Sequence, residues 1–177
     1  MTNPPLLGFA AFSGVGKTTL LSRLIPLLRE RGLRVGLIKH AHHAFDIDTP
    51  GKDSYVLRKA GAEQVLVASS QRWALITETP AQAEADLFSL LDRLDRKQLD
   101  LILVEGFRHG EFAKIELHRP QLQHPLLCLD DPHVIAVASD EALDPSLPVT
   151  RLDLNNPAEI ADFILGKILD RYDSPSA

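Results

Sequence analysis

The chain has little cysteine, few aromatic residues and no excess of positive charge, and each shortage excludes a class of function. Cys128 is the only cysteine, so neither an internal disulfide nor a cysteine-based zinc site can form. The formal net charge is −5, which argues against bulk nucleic-acid binding because such binding needs many cations to neutralise phosphates. No apolar run is long enough to cross a bilayer. The amino terminus also lacks the pattern of a signal peptide, so we expect a cytoplasmic protein without nucleic-acid or membrane partners.

The rest of the composition is that of an ordinary globular protein. With 177 residues, the chain is long enough to bury a core, and we expect one domain over residues 1–177 with frayed ends at 1–5 and 174–177. Short apolar runs alternate with helical stretches along the sequence. This alternation predicts an α/β domain with a largely parallel, mixed sheet flanked by helices.

Seven strands and four helices are predicted from these runs. The predicted strands are Leu6–Phe12, Val35–Lys39, Gln64–Ala68, Trp73–Thr77, Leu101–Glu105, Ala113–His118 and Val134–Ala138. The predicted helices are about Thr18–Arg31, Asp53–Ala60, Ala81–Arg96 and Pro157–Leu169. Because Ala113–His118 alternates apolar and polar residues, we expect this strand near an edge of the sheet.

A glycine-rich loop joins the first predicted strand to the first predicted helix. Its sequence, AFSGVGKTT at Ala11–Thr19, fits the Walker A phosphate-loop (P-loop) pattern except that Ala11 replaces the first glycine, where only a small residue is needed. Such a loop turns backbone N–H groups toward phosphates at a helix N-terminus, which favours anions. A turn that merely joins a strand to a helix is the alternative, and the apolar strand and amphipathic helix around the loop argue against it. The predicted nucleotide-binding residues are Ser13, Gly14, Val15, Gly16, Lys17, Thr18 and Thr19, with Lys17 on the β- and γ-phosphates and the Thr18 hydroxyl on magnesium.

A second acidic element follows the strand Leu101–Glu105. A phosphate-loop protein needs a carboxylate near its magnesium ion at the end of a neighbouring buried strand, and Glu105 occupies such a position. Asp100 begins the same strand and should lie at its opposite end, so Glu105 is the favoured ligand. The alternative is that Glu105 is only a solvated strand end.

The segment Lys39–Asp53, KHAHHAFDIDTPGKD, is unusually polar for a loop that follows a buried strand. It leaves the sheet at the carboxyl ends of the strands, where ligands collect in α/β proteins. Asp46 and Asp48 alternate, so an extended backbone points both the same way, and Asp48 is predicted to reach magnesium through water. A solvated loop and a zinc site are the alternatives, although no established zinc-ligand spacing is present. The residues predicted to face a substrate or partner are Lys39, His40, His42, His43, Asp46, Lys52 and Arg58.

Asp140 follows the late strand Val134–Ala138 and is a candidate for reading a nucleotide base. A carboxylate there can accept hydrogen bonds from N1 and N2 of guanine, which adenine cannot donate, and this would favour GTP over ATP. The alternative is that Asp140 caps the turn that follows the strand. The spacing favours neither interpretation.

These stretches together resemble the molybdopterin-guanine dinucleotide biosynthesis protein B (MobB) family. The resemblance lies in FAAFSGVGKTTLL at Phe9–Leu21, GLIKHAHHAFDIDTPGKDSYVLRKAGA at Gly36–Ala62, SSQRWALITETP at Ser69–Pro80, LDLILVEGFRH at Leu99–His109 and HVIAVASD at His133–Asp140. These stretches run over most of the chain. A Walker A motif alone is unspecific, but the second stretch in this order after it is specific.

The resemblance implies a homodimeric protein that binds GTP and Mg²⁺ and hydrolyses GTP slowly at most. It implies a helper role in attaching GMP to molybdopterin, where a separate molybdenum cofactor guanylyltransferase does the chemistry. The loop at His40–Asp53 would then face GTP, molybdopterin or its guanine dinucleotide. The sequence itself assigns no water-positioning group or arginine finger, and Arg58, Arg108 and His109 are the nearest candidates. It leaves open the dimer surface, the pterin contacts, the molybdoenzymes served and whether hydrolysis is physiological.

Two other functions are compatible with the same residues. A small-molecule kinase would use the phosphate loop with Arg58, Lys59 and Arg72, but the sequence has no convincing arginine-rich lid. A metallochaperone GTPase would use the histidine loop as its metal site.

Overall fold

The computed structural model describes residues 3–41, 45–79 and 85–169. The chain forms two compact units, a larger one from residues 1–40 and 86–177 and a smaller one from residues 41–85. The strands are β1 (Leu6–Ala10), β2 (Val35–Lys39), β3 (Gln64–Ala68), β4 (Trp73–Thr77), β5 (Leu101–Glu105), β6 (Lys114–His118), β7 (Val134–Ser139) and β8 (Thr150–Asp153). The α-helices are α1 (Lys17–Glu30), α2 (Asp53–Lys59), α3 (Leu87–Leu91) and α4 (Pro157–Ile164), and a π-helical turn, Leu165–Leu169, continues α4.

The larger unit is built on a six-stranded sheet in the order β2-β5-β1-β6-β7-β8, with every pair parallel. A parallel sheet has to be covered on both faces, which explains the nearly continuous apolar runs of its strands. On one face α1 and α4 pack together through residues such as Leu24 and Ile160, which are fully buried. On the other face Leu87 and Leu91 of α3 pack against Ile102 of β5. The predicted α/β class with helices flanking the sheet is confirmed, and the large sheet is wholly parallel.

β6 lies between β1 and β7, so the prediction of a strand near the sheet edge was wrong. Its alternating polar side chains are buried, and two of them, Lys114 and Glu116, have partners inside the protein. The Lys114 ammonium lies 2.7 Å from the Asp131 carboxylate. The Glu116 carboxylate accepts the backbone N–H groups of Leu127 and Cys128 at 2.8 and 2.9 Å, and burial raises the pKa of Glu116. The polar residues at every second position of β6 therefore face other protein groups and not solvent.

The helix predicted at Ala81–Arg96 is much shorter in the structure. The Asp86 carboxylate accepts the N–H of Ser89 and so caps the N-terminus of α3. The helix begins at Leu87 and ends at Leu91. A short 3₁₀ turn at Arg96–Gln98 follows. The first residues of the prediction, 81–84, lie outside the described residues. β8 is absent from the sequence prediction because TRLD is short and mostly exposed.

The smaller unit contains helix α2 and an antiparallel hairpin of β3 and β4. Gln64 lies opposite Thr77, and Ala68 opposite Trp73, as the predicted turn between the strands requires. The Ser69 hydroxyl accepts the N–H groups of Gln71 and Arg72 and closes this turn. In the described parts of both units, no helix is long and apolar enough to cross a membrane.

Candidate functional site

The loop between β1 and α1 has the backbone shape that phosphate binding requires. Gly14 and Gly16 adopt left-handed conformations with φ of 82° and 108°. Apart from its chain neighbours, no atom of the described residues lies within 4 Å of the position of an added Cβ at Gly14. The backbone angle, and not crowding, is therefore what requires glycine there. Gly16 is the residue before α1, so the loop leads directly into the N-terminus of the helix, where anions bind favourably. Ser13, Gly14, Thr18 and Thr19 are exposed, whereas Val15 is buried.

Lys17 is the first residue of α1 and folds back over the loop. Its ammonium donates to the carbonyl oxygens of Ala11 at 3.0 Å and Phe12 at 3.4 Å. Burial lowers the pKa of Lys17 from 10.5, nearby Glu105 opposes this shift, and Lys39 adds to it. In the described part of the chain, carbonyl oxygens are the only hydrogen-bond acceptors of this half-buried cation. It is therefore suited to an anionic ligand, which would relieve the cost of burial.

Glu105 lies beside the phosphate loop, as the prediction requires. β5 is the neighbour of β1, with Glu105 opposite Phe9, and the neighbour of β2, with Glu105 opposite Lys39. The Glu105 carboxylate is almost wholly buried and lies 3.5 Å from the Lys39 ammonium. The sheet therefore brings Lys17, Glu105 and Lys39 together at the carboxyl ends of three adjacent strands.

Asp100 lies at the opposite end of β5, which agrees with the choice of Glu105 over Asp100. It makes a two-point ion pair with the Arg34 guanidinium, at 2.7 and 2.9 Å, and also accepts the Arg34 N–H. These hydrogen bonds lower the pKa of Asp100 from 3.8 to about 2. Asp100 is thus a structural carboxylate, remote from the phosphate loop.

Gly106 permits a close approach between the end of β5 and the end of β2. An added Cβ at Gly106 would lie 2.8 Å from the His40 Cβ and 2.9 Å from its carbonyl oxygen. The His40 N–H donates to the Glu105 carbonyl at 2.8 Å, and the His40 ring stacks on Phe107 with 4.8 Å between centroids. His40 is therefore fixed beside Glu105.

Asp140 does not cap the turn after β7. One carboxylate oxygen, Oδ2, bonds the Arg119 guanidinium and also accepts from the Gln121 amide at 3.1 Å. The N–H of Glu141 instead donates to the Ser139 hydroxyl. The other oxygen of Asp140, Oδ1, is buried and has no hydrogen-bond partner in the described part of the chain.

Arg119 is a site residue that the sequence analysis missed. Its Nε donates to the Val15 carbonyl of the phosphate loop at 2.9 Å while the same guanidinium bonds Asp140. No local pattern signals this role, because Arg119 meets its partners only through the order of the strands. Arg108, one of the candidates for a water-positioning group or arginine finger, has its guanidinium 4.7 Å over the ring of Phe12, on the same loop. The Phe12 ring also stacks on His124.

The predicted substrate loop is organised around Arg58, whose side chain is only 6% exposed. The guanidinium meets three carboxylates of the smaller unit, Asp46 at 2.6 Å, Asp48 at 2.7 Å and Glu78 at 2.7 Å. These hydrogen bonds raise the pKa of Arg58, and the Arg58 contact lowers the pKa of Asp48. The two aspartates are therefore paired with Arg58. Asp48 would have to give up its bond to Arg58 before it could bind magnesium.

The other predicted residues of this loop make few contacts that would indicate which ligand they bind. Lys52 precedes α2, and its side chain is exposed. Within the described ranges, no group of three or more His, Cys, Asp or Glu side chains is placed to hold a metal ion. His42 and His43, two of the residues predicted to face a substrate or partner, lie outside the described residues.

Comparisons with known proteins agree with the resemblance seen in the sequence. A family model described as molybdopterin guanine dinucleotide synthesis protein B matches residues 6–140. The molybdopterin-guanine dinucleotide biosynthesis adapter protein of Escherichia coli (strain K12) is 60% identical over 162 residues, which cover 91% of each chain. The adapter protein of the same name from Haemophilus influenzae is 46% identical over 160 residues, or 90% of this chain and 87% of the relative.

A solved structure supports the same assignment at the level of the fold. The crystal structure of a molybdopterin-guanine biosynthesis protein B superposes with a TM-score of 0.69 at 28% identity, covering 91% of this chain and 98% of that one. The match extends well beyond the phosphate loop, which many unrelated families share. The chain therefore belongs to the molybdopterin guanine dinucleotide synthesis protein B (MobB) family.

Proposed function

We propose that this protein is a GTP-binding adapter that assists a separate guanylyltransferase in converting molybdopterin to its guanine dinucleotide. Membership of the family gives it a role in molybdenum cofactor biosynthesis. The observation that carries the nucleotide part is the phosphate loop, with its two left-handed glycines and the half-buried Lys17 beside Glu105. We also expect the protein to work in the cytoplasm, where its nucleotide is available.

In this proposal the backbone and side chains from Ser13 to Thr19 hold the triphosphate. Lys17 exchanges its loop carbonyls for the β- and γ-phosphate oxygens, which are stronger, charged acceptors. Thr18 and Glu105 supply the hard oxygen atoms that suit Mg²⁺, and the ion would neutralise phosphate charge. Asp48 is proposed as a further contact through water, at the expense of its bond to Arg58.

The preference for guanine is proposed to come from Asp140. Its buried Oδ1 has no partner among the described residues, and an unpaired buried carboxylate oxygen is costly. A ring N–H and an amino group on one edge of the base would satisfy such a carboxylate, and guanine presents both. Adenine presents neither in that arrangement.

The loop after β2 is proposed to face the pterin substrate or the partner enzyme. Lys39 and Lys52 have exposed side chains that suit an anionic ligand such as a pterin phosphate. His40 lies beside Glu105, and Asp46 and Arg58 give the loop its shape. His42 and His43 lie outside the described residues and are proposed, from the sequence, for the same role.

We propose a homodimer formed through the smaller unit. Large apolar residues of its hairpin are exposed to solvent: Leu66 is 63% exposed, Trp73 67% and Leu75 42%. On α2, Val56 and Leu57 are each more than half exposed. Two-stranded sheets are rarely stable by themselves and have open edges that pair with another chain. A second copy of the hairpin offers both a matching edge and a matching apolar surface.

Light scattering after size exclusion tests the dimer. The wild type should have twice the mass of one chain, and Trp73→Lys should shift the population toward monomer. Leu129→Lys is the matched control, because Leu129 is 64% exposed in the larger unit. A monomeric wild type, or equal behaviour of the two variants, would contradict this surface.

Calorimetry tests nucleotide binding. GTP and ATP are titrated with magnesium into the purified protein, and phosphate release is followed in the same samples. We expect clear GTP preference and very slow release. Equal or tighter ATP binding, with rapid turnover once small acceptors are added, would identify a small-molecule kinase instead.

A further inference from the structure

Arg119 joins two parts of the larger unit that lie far apart in sequence. It directly follows β6, and β6 is the neighbour of both β1 and β7. The loop after β1 therefore lies on one side of Arg119. Asp140, which follows β7, lies on the other side. The Nε of Arg119 donates to the carbonyl of Val15, and the Nη1 of Arg119 donates to the carboxylate of Asp140. One guanidinium thus holds the backbone of the phosphate loop and a carboxylate beyond β7 in a fixed relation.

The carboxylate that Arg119 holds is only partly satisfied. The side chain of Asp140 is 11% exposed, and Arg119 is its only cationic partner among the described residues. Arg119 and Gln121 both bond Oδ2, and this leaves Oδ1 buried without a partner. Buried polar atoms without a partner are uncommon, and each calls for an explanation such as a ligand.

Arg119 also lines a small open cleft beside the phosphate loop. One side of this cleft is formed by the loop and the start of α1, and the other by the residues after β8. Its polar lining comes chiefly from Thr19, Arg23, Arg119 and Asn155. A nucleotide whose phosphates lie in the loop would have its sugar and base within reach of such a cleft.

We infer that Arg119 is a positioning residue that fixes the base-reading carboxylate of Asp140 relative to the phosphate loop, and so sets the guanine preference. This inference rests on the proposed GTP binding. Arg119 keeps Oδ2 occupied, so Oδ1 is the oxygen that accepts from the base. Because Oδ1 is covered, entry of the base requires a neighbouring side chain to rotate. The guanidinium thereby sets where the base-reading carboxylate lies relative to the phosphate loop.

The test measures the affinities of GTP, ATP and inorganic tripolyphosphate, each with magnesium, for the full-length protein and its variants. Arg119→Met removes both hydrogen bonds and keeps much of the side-chain volume. We expect the ratio of GTP to ATP affinity to fall at least about tenfold, since a hydrogen bond to a charged group is lost. Tripolyphosphate has no base, so its affinity should change by less than about threefold. Arg151→Met is the matched control, because Arg151 is an exposed arginine on β8, and it should keep the wild-type ratio.

Arg119→Lys separates positioning from a general loss of structure. Its single ammonium cannot span Val15 and Asp140 together, but it keeps a positive charge beside the carboxylate, so we expect an intermediate ratio. Should Arg119→Met fail to fold by circular dichroism, the comparison is made with Arg119→Lys alone. An unchanged ratio in the folded variant overturns the inference, and so does an equal loss of GTP and tripolyphosphate affinity. A wild type without GTP preference overturns the proposed function itself and is recognised before any variant is made.

Discussion

Removal of the Lys17 ammonium gives the most direct loss of phosphate binding. In the structure this group donates to the carbonyls of Ala11 and Phe12, and in the complex it would donate to two phosphates. Two hydrogen bonds to charged groups contribute roughly 3–6 kcal/mol together. The loop carbonyls that Lys17 gives up offset part of this gain, so we expect Lys17→Ala to weaken GTP binding by about 3–4 kcal/mol. This corresponds to about two to three orders of magnitude in Kd.

Calorimetry with magnesium-GTP measures this loss, with circular dichroism and thermal unfolding as controls for the fold. Arg29→Ala is the matched control, because it removes one positive charge from the last turn of α1. Arg29 lies about 18 Å along the helix axis from Lys17, at 1.5 Å per residue. Screening over that distance leaves little electrostatic effect, so the control should change Kd by less than about threefold. Wild-type affinity in a folded Lys17→Ala protein would refute the assignment of the loop.

Three further predictions concern other charged groups. Asp140→Asn replaces an acceptor by an amide donor, so GTP should bind at least about tenfold more weakly and xanthosine triphosphate, which has an oxygen at ring position 2, more tightly; competition titrations measure both, and an unchanged order of affinities would exclude the base contact. Asp131→Ala leaves the buried Lys114 ammonium unpaired and should destabilise the fold by about 3 kcal/mol, whereas Lys114→Met should cost about 1 kcal/mol or less; urea unfolding compares them, and the reverse order would contradict the pairing. The lowered pKa of Asp100 stabilises the fold fully above about 3.8 and loses this effect as the pH falls through about 2; an NMR titration should show Arg34→Ala returning that pKa toward 3.8, and a value still near 2 would rule out Arg34 as the cause.

The strands and the phosphate loop could be predicted from the sequence because their signals are local. Val35–Lys39, Gln64–Ala68, Trp73–Thr77 and Leu101–Glu105 lie where the apolar runs indicate, and glycine spacing predicts the left-handed turns after β1. The position of Glu105 beside the loop followed from the rule that parallel strands end at one edge of the sheet. The strands and the loop depend on residues that are close together in the chain, and the position of Glu105 needs in addition only the direction of its strand.

The features that could not be predicted depend on contacts between distant residues. Arg119 meets Val15 across 104 positions and Asp140 across 21, and no periodic pattern records either distance. Lys114 and Glu116 have the spacing of an exposed strand face, yet they are buried by the segment that follows β6. A polar residue on a strand therefore indicates a polar partner, which is water only when nothing else covers the strand.

The roles of the individual loop residues also stay predictions. Arg58 and Asp48 were both expected to face a ligand or a cation, and the structure pairs them with each other. A charged residue in a sequence gives no sign of whether its partner is a ligand or a neighbour. The three-dimensional contacts decide this, and here they favour internal pairing for these two residues.

Reconstitution of guanine dinucleotide synthesis tests the central claim most directly. A purified molybdenum cofactor guanylyltransferase is supplied with molybdopterin, magnesium and limiting GTP, and the dinucleotide is quantified with and without this protein. We predict that the wild type increases the yield or rate, that Lys17→Ala does not, and that Arg29→Ala behaves as wild type. Equal product with wild type, with Lys17→Ala and with no added protein would contradict the role of a GTP-binding adapter.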